Sequence, residues 1–158
     1  MEEIIQLNSG AKLSPHFTLG EMTKSNSHPE VYNIPSHEAI ANLKRLCGWL
    51  EELRKRYNER YGVGDEPIRI NSGYRSPQLN RAIHGNANSN HMTGCACDIR
   101  VSGMEQALRY AVILLDYADE SKQEFDELLI EKNRYGAIWV HFAVRPSNNR
   151  RKITFINA

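Results

Sequence analysis

The sequence contains no uninterrupted apolar run close to the roughly 18 residues that a membrane-spanning helix requires, so no membrane span is expected. It also lacks an excess of charge of one sign. Twenty Lys and Arg stand against nineteen Asp and Glu, for a net charge of +1. A nucleic-acid partner would call for a basic excess to neutralise phosphates, and none is expected here. Cysteine is scarce: Cys47, Cys95 and Cys97 cannot all pair within one chain, and the last two are too close for a relaxed bridge. A disulfide framework is therefore not anticipated, and this usage fits synthesis in a reducing compartment. The opening segment MEEIIQLNSGAKLSPHF has no basic stretch followed by an apolar one, so no export leader is visible and synthesis in the cytoplasm is expected. Repeats, low-complexity tracts and linkers are absent too. With 41% hydrophobic and 25% charged residues over a length of 158, the composition is that of a globular protein, read as one domain over 1–158.

The elements follow from periodicity and end signals. Thr18-Leu19-Gly20-Glu21 has the form of a capping box and predicts a short helix after the extended segment His16-Phe17. Asn33-Ile34-Pro35 reads as a turn. Ser36 then caps the longest helical pattern, in which Ile40, Leu43, Leu46, Cys47, Leu50, Leu53 and Tyr57 recur at three- and four-residue steps until Gly62 and Gly64. Residues 67–71 alternate as a strand and lead into Ser72-Gly73-Tyr74-Arg75; Ser76-Pro77 opens a further short helix. Residues 94–101 read as a strand. Ser102-Gly103-Met104-Glu105 reads as a second capping box, starting a helix whose apolar side is Leu108, Val112 and Leu115. Three strands close the chain at about 125–131, 137–144 and 152–156, with hairpin-turn chemistry in both connections. Helices first and hairpins last favour an α+β fold, N-terminal helices packed on a mainly antiparallel sheet with C-terminal hairpins.

Chemistry concentrates in Ser89-Asn90-His91-Met92-Thr93-Gly94-Cys95-Ala96-Cys97-Asp98. Imidazole and carboxylate are both good zinc ligands, and hydrolytic zinc sites commonly combine three protein ligands with water. His91 and Asp98 cannot share one helical face at this spacing, but a loop folding back on a strand would bring them together, with Gly94 permitting the turn. His141, in the strand segment Ile138-Trp139-Val140-His141-Phe142, is the natural third ligand; spacing alone does not decide it. Cys95-x-Cys97 would share the strand face opposite Ala96 and Asp98, which makes these cysteines core residues rather than a second metal or redox site. His37-Glu38 starts like a zincin helix motif, but Ala41 stands where the second histidine belongs. Ser76, Ser89 and Ser102 lack any nucleophile-elbow context. Trp49 fits along the long helix and Trp139 beside the site.

Ser89-x-His91-x-x-Gly94-x-Ala96-x-Asp98 followed by Trp139-Val140-His141 resembles the zinc D-alanyl-D-alanine carboxypeptidase-like peptidases, which share a fold with D,D-dipeptidases and the hedgehog signalling domain. Phe17-Thr18-Leu19-x-Glu21, the Ser72–Ser76 turn and residues 125–131 resemble the small, often phage-encoded branch of that family. The resemblance implies a hedgehog/D,D-peptidase-like fold and a zinc ion held by His91, Asp98 and His141 with water in the fourth position. It further implies attack on an amide of a peptidoglycan stem peptide, as a D-Ala-D-Ala carboxypeptidase or an endopeptidase, with Arg75 binding a substrate carboxylate or carbonyl oxygen. Ser89 would be a secondary polar contact near the metal loop or substrate.

The chain departs from this pattern at the base. Several relatives carry an acid three residues before the last histidine, where this chain has Ile138; another branch carries a histidine five residues before it, where this chain has Gly136. Glu131 is the substitute expected here, because a hairpin pairing it with Trp139 would set its carboxylate on the face of His141; a slip of one residue would send it to the other face. Asp126 is the reserve candidate. A rival class keeps the zinc site without turnover, as a cell-wall-binding or phage structural module. Without an export leader, access to the wall would follow lysis, release or phage delivery. Oligomeric state stays open.

Overall fold

The structure is a computed structural model that describes residues 9–25, 27–62 and 64–157. Two short strands, β1 (Lys12–Ser14) and β2 (Phe17–Thr18), pair antiparallel and lead into helix α1 (Leu19–Thr23). The expected capping box closes α1: Glu21 N–H donates to Thr18 Oγ1 at 3.2 Å, and Thr18 N–H donates to Glu21 Oε1 at 3.4 Å. Helix α2 (His37–Tyr61) is capped by the Ser36 hydroxyl, which accepts from Ala39 N–H at 3.1 Å, and ends at Gly62. Leu43, Leu46, Cys47, Leu50 and Leu53 on its inner side are wholly buried, each large aliphatic contributing on the order of 2 kcal/mol.

Strand β3 (Ile70–Ser72), helix α3 (Pro77–Ala82), a 3₁₀ turn (Asn90–Thr93), strand β4 (Ala96–Arg100), helix α4 (Met104–Ser121), and strands β5 (Glu127–Lys132), β6 (Ile138–Ala143) and β7 (Lys152–Asn157) complete the chain. The last five strands form one sheet in the order β3-β4-β6-β5-β7. Its helix-facing side, carrying Cys97, Ile99, Leu128, Val140 and Phe142, packs with α2 and α4 into a single apolar cluster. The mixed α+β character and the mainly antiparallel sheet are as expected.

Four expectations are corrected. The final connection is not a hairpin: β7 pairs with β5, in parallel, from Glu127↔Lys152 to Lys132↔Asn157. Residues 145–150 cross the start of β5 because buried Asp126 accepts from Arg150 through its backbone N–H at 2.9 Å, Nε at 3.0 Å and Nη2 at 2.8 Å. The chain is thus captured beyond β5 instead of returning beside β6. The second capping box does not form. Gly103 holds the N-cap position of α4, and Ser102 N–H donates to Gln106 Oε1 at 2.8 Å.

The buried side of α4 is Ala107, Tyr110, Ile113, Leu114 and Ala118, whereas Leu108 and Val112 are exposed. Both stripes satisfy a helical period, and the bulk of Tyr110 against Tyr57 decides between them, their rings 5.0 Å apart. Finally, Asn33 closes no turn of its own but acts as a clamp. Its Nδ2 donates to Thr23 O at 2.6 Å and Tyr74 O at 3.0 Å, and its Oδ1 accepts from Ser76 N–H at 2.6 Å. This fixes the segment that carries Arg75.

Candidate metal centre

His91 sits in the 3₁₀ turn, whose start is capped by Ser89: the hydroxyl accepts from His91 N–H at 3.1 Å. The turn ends on Gly94 in the left-handed conformation, φ 76°, with its Cα packed against the Ala39 carbonyl so closely that a Cβ would collide. The chain reverses there into β4 and delivers Asp98. Register then brings in the third residue, because Asp98 pairs directly with His141 across β4 and β6. One donor atom from each of His91, Asp98 and His141 lies within 4.8 Å of the others. His91 Nε2 is 3.4 Å and His141 Nδ1 is 3.1 Å from Asp98 Oδ1. The structure thus brings together the three residues that the family resemblance implies as ligands, in a group that could hold a metal ion.

Hydrogen bonds set which nitrogen each imidazole offers. His91 Nδ1 is 2.7 Å from the Gly73 carbonyl oxygen, which only accepts, so Nδ1 carries the proton and Nε2 is left to coordinate. His141 is held the other way round: its Nε2 donates to Glu127 Oε1 at 3.0 Å, leaving Nδ1 toward Asp98. Asn90 Nδ2 donates to the same Glu127 oxygen at 2.6 Å. Two oriented imidazoles, a carboxylate and an outer carboxylate behind one histidine are a donor set that fits zinc.

Electrostatics agree with that fit. Burial opposes the charge on Asp98, yet His91 and His141 hold its carboxyl far below the usual range. Burial likewise opposes charge on His141, but hydrogen bonds and the charges of Asp98 and Glu127 raise its pKa to about 9. The hydrogen bond from His141, outweighing burial, lowers Glu127 to about 2 and keeps it an anion.

These groups lie in a cleft of about 770 Å³ that also includes Arg75, Ser89, Glu131 and Trp139. Arg75 Nη2 is 3.3 Å from Asp98 Oδ2, and its Nε donates to Ser72 Oγ at 3.3 Å. Its backbone N–H donates to the His91 carbonyl at 3.0 Å, tying arginine and ligand loop together. Glu131 pairs with Trp139 in the anticipated register and accepts from the Trp139 indole N–H. Burial, followed by the nearby Asp98 charge, raises its carboxyl above the ordinary glutamate value.

Asp126, the reserve candidate for the base, is wholly buried and engaged by Arg150, Asn90 and Arg145. It anchors the fold and is closed to a substrate. Cys47, Cys95 and Cys97 are free and buried, and Cys97 lies in the core away from the cleft. The residues that sequence reasoning missed are Glu127 and Asn90. A signal for Glu127 was present: on the strand that puts Glu131 in the cleft, a residue four positions earlier must share that face. Asn90 carried no such signal, since its side-chain partners, Asp126, Glu127 and Arg145, are 36 to 55 residues away in the chain.

The Peptidase M15 family model matches residues 15–127, and the chain belongs to that family. His91, Asp98 and Arg75 fall inside the matched stretch, whereas Glu131, Trp139 and His141 lie beyond it. A zinc D-Ala-D-Ala carboxypeptidase of Streptomyces albus G is 32% identical over 97 residues, covering 61% of this chain and 36% of the relative. The matched part therefore spans about a third of that protein's length.

Proposed function

We propose that the protein is a zinc metallopeptidase that hydrolyses an amide in the stem peptide of bacterial peptidoglycan, in the manner of a D-Ala-D-Ala carboxypeptidase. The observation that carries this reading is the convergence of His91, Asp98 and His141 in one cleft with a partly exposed cation, Arg75, and a carboxyl raised by burial, Glu131. Bound zinc supplies Lewis acidity toward water and toward the scissile carbonyl. Glu131 accepts the proton of the attacking water and passes it to the leaving amine; its raised pKa suits a group that must do both near neutral pH. The indole of Trp139 holds that carboxylate in place. Arg75, desolvated and pinned by Ser72 and Asp98, meets the substrate's terminal carboxylate or carbonyl oxygen with a planar fork of donors. Ser89 acts through the loop it caps, by fixing His91.

The silent-module alternative drew on the missing acid at position 138. Glu131 supplies an acidic group on the cleft face, which favours the enzyme. We read the chain as one domain of hedgehog/D,D-peptidase type, made in the cytoplasm and reaching the wall after release, lysis or phage delivery. Among the described residues no helix is long and apolar enough to cross a membrane.

Mass spectrometry of purified peptidoglycan fragments, incubated with zinc-loaded protein, tests this reading. Loss of a terminal D-alanine is expected, absent with chelator and with His91→Ala. Glu131→Gln should keep the zinc and lose about a thousandfold in turnover. Intact fragments after incubation with fully loaded protein would overturn the enzyme reading in favour of the silent module.

A further inference from the structure

The cleft has a second cationic end. Cleft-facing side chains run across the sheet from Arg75, after β3, through Asp98 on β4, His141 on β6 and Glu127 on β5 to Lys152 on β7. At the β7 end, Arg145, Arg150 and Lys152 line the wall. Asp126 lies beneath them: it takes three hydrogen bonds from Arg150 and sits 3.3 Å from Arg145 Nε, which also donates to Asn90 Oδ1 at 2.9 Å. The Asp126 side chain is 0% exposed, whereas those of Arg145 and Arg150 keep 31% and 50% of their exposure. A ligand in the cleft therefore meets N–H donors and not Asp126; the carboxylate beside them, Glu127, lies 3.6 Å from Arg150 Nη2 and is already engaged by His141 and Asn90. Among the described residues, the Nη groups of Arg145 and the ammonium of Lys152 have no partner. Guanidinium groups fixed in this way lose little further freedom on binding and match a carboxylate in shape and charge.

We propose that this β7 end is a subsite for a substrate carboxylate on the acyl side of the scissile bond. The inference rests on the peptidase reading above, in which Arg75 takes the leaving side. Neighbouring strands lie about 4.8 Å apart, so β7 is about 10 Å from β6, or about three residues of extended peptide. The favoured substrate is thus a peptide bearing an acidic residue about three positions before the bond cut.

The test uses two synthetic peptides ending in D-Ala-D-Ala that differ only at that upstream residue, one carrying a free carboxylate and the other its carboxamide. Both are followed by chromatography with the zinc-loaded full chain. The acid should have a kcat/KM about tenfold above the amide, through KM, and the ratio should shrink as salt rises. Lys152→Ala should bring the ratio toward one, and Lys152→Glu should reverse it. Because Lys152 is exposed and makes no ion pair among the described residues, neither variant removes a stabilising contact. Cleavage of both peptides at equal, salt-independent rates by the unmodified protein overturns the subsite. If neither peptide is cut, the peptidase reading fails, and anisotropy of the fluorescent peptides decides the subsite separately. Tighter binding of the acid, lost in Lys152→Glu, supports it; equal binding of both peptides, or none, overturns it.

Discussion

The two faces of the sheet differ although the same strands make both. On the helix side Cys97, Ile99, Leu128, Ile130, Val140 and Phe142 meet α2 and α4 through apolar packing, where shape and volume count and no single partner is required. On the cleft side Asp98, Glu127, Glu131, Trp139 and His141 each have a named partner at hydrogen-bond distance. Alternation along a strand lets one backbone serve both tasks. The packed face holds the backbone still, and the register then holds Asp98 opposite His141 within reach of a shared ion. The difference teaches that the site borrows its rigidity from a surface that has no chemistry.

Substitutions should separate the faces. Asp98→Ala should abolish stoichiometric zinc binding, measured by competition with a chromophoric chelator, and bring turnover below about a thousandth of the unmodified protein. Its urea midpoint in the presence of chelator should fall as well, since His141 and Arg75 lose the carboxylate that faces them. Phe142→Ala should lose about 3–5 kcal/mol in urea unfolding, yet the folded protein should still take one zinc per chain. If Phe142→Ala stripped the zinc at unchanged stability, the division of labour would be wrong.

A smaller effect sharpens the comparison within the cleft. Glu127→Leu should weaken zinc about 10- to 100-fold by releasing His141 Nε2, whereas Glu127→Gln, which keeps an oxygen acceptor, should recover most of the affinity. Equal losses in both variants would mean that charge, not orientation, is what Glu127 contributes.

The mildest effect is in acid. Burial opposes ionisation of Asp126, but Arg150 and Asn90 prevail and lower its pKa to about 2. A carboxyl depressed in the folded state adds stability above its unfolded value, about 3.9, and that stability drains away as pH falls from there toward about 2. Urea midpoints at pH 5 and pH 3 should differ more in the unmodified protein than in Arg150→Gln.

Much of the site was legible because its residues obey local rules. Gly94 and the alternation from Ala96 to Asp98 dictate a reversal and a strand, and the same alternation sends Cys95 and Cys97 away from the metal; the cap by Ser89, read only as a secondary polar contact, came from the structure. Glu131 was legible through the hairpin, since a tight connection sets register. Elsewhere local rules permitted two answers. Both apolar stripes of α4 fit a helical period, and both β6–β7 outcomes fit the turn residues at 146–150.

By itself the sequence determined the capped helices α1 and α2, the reversal at Gly94 and the face on which each strand residue stands, because these depend on neighbours within a few positions; His141 joined the ligand set only through the family resemblance, since spacing left it undecided. Only the tertiary structure decided the place of β7, the pairing of Glu127 with His141, and the buried Asp126 that ties Arg145, Arg150 and Asn90 together. Those depend on which distant groups compete for one desolvated carboxylate, and that competition exists only once the chain has closed around it.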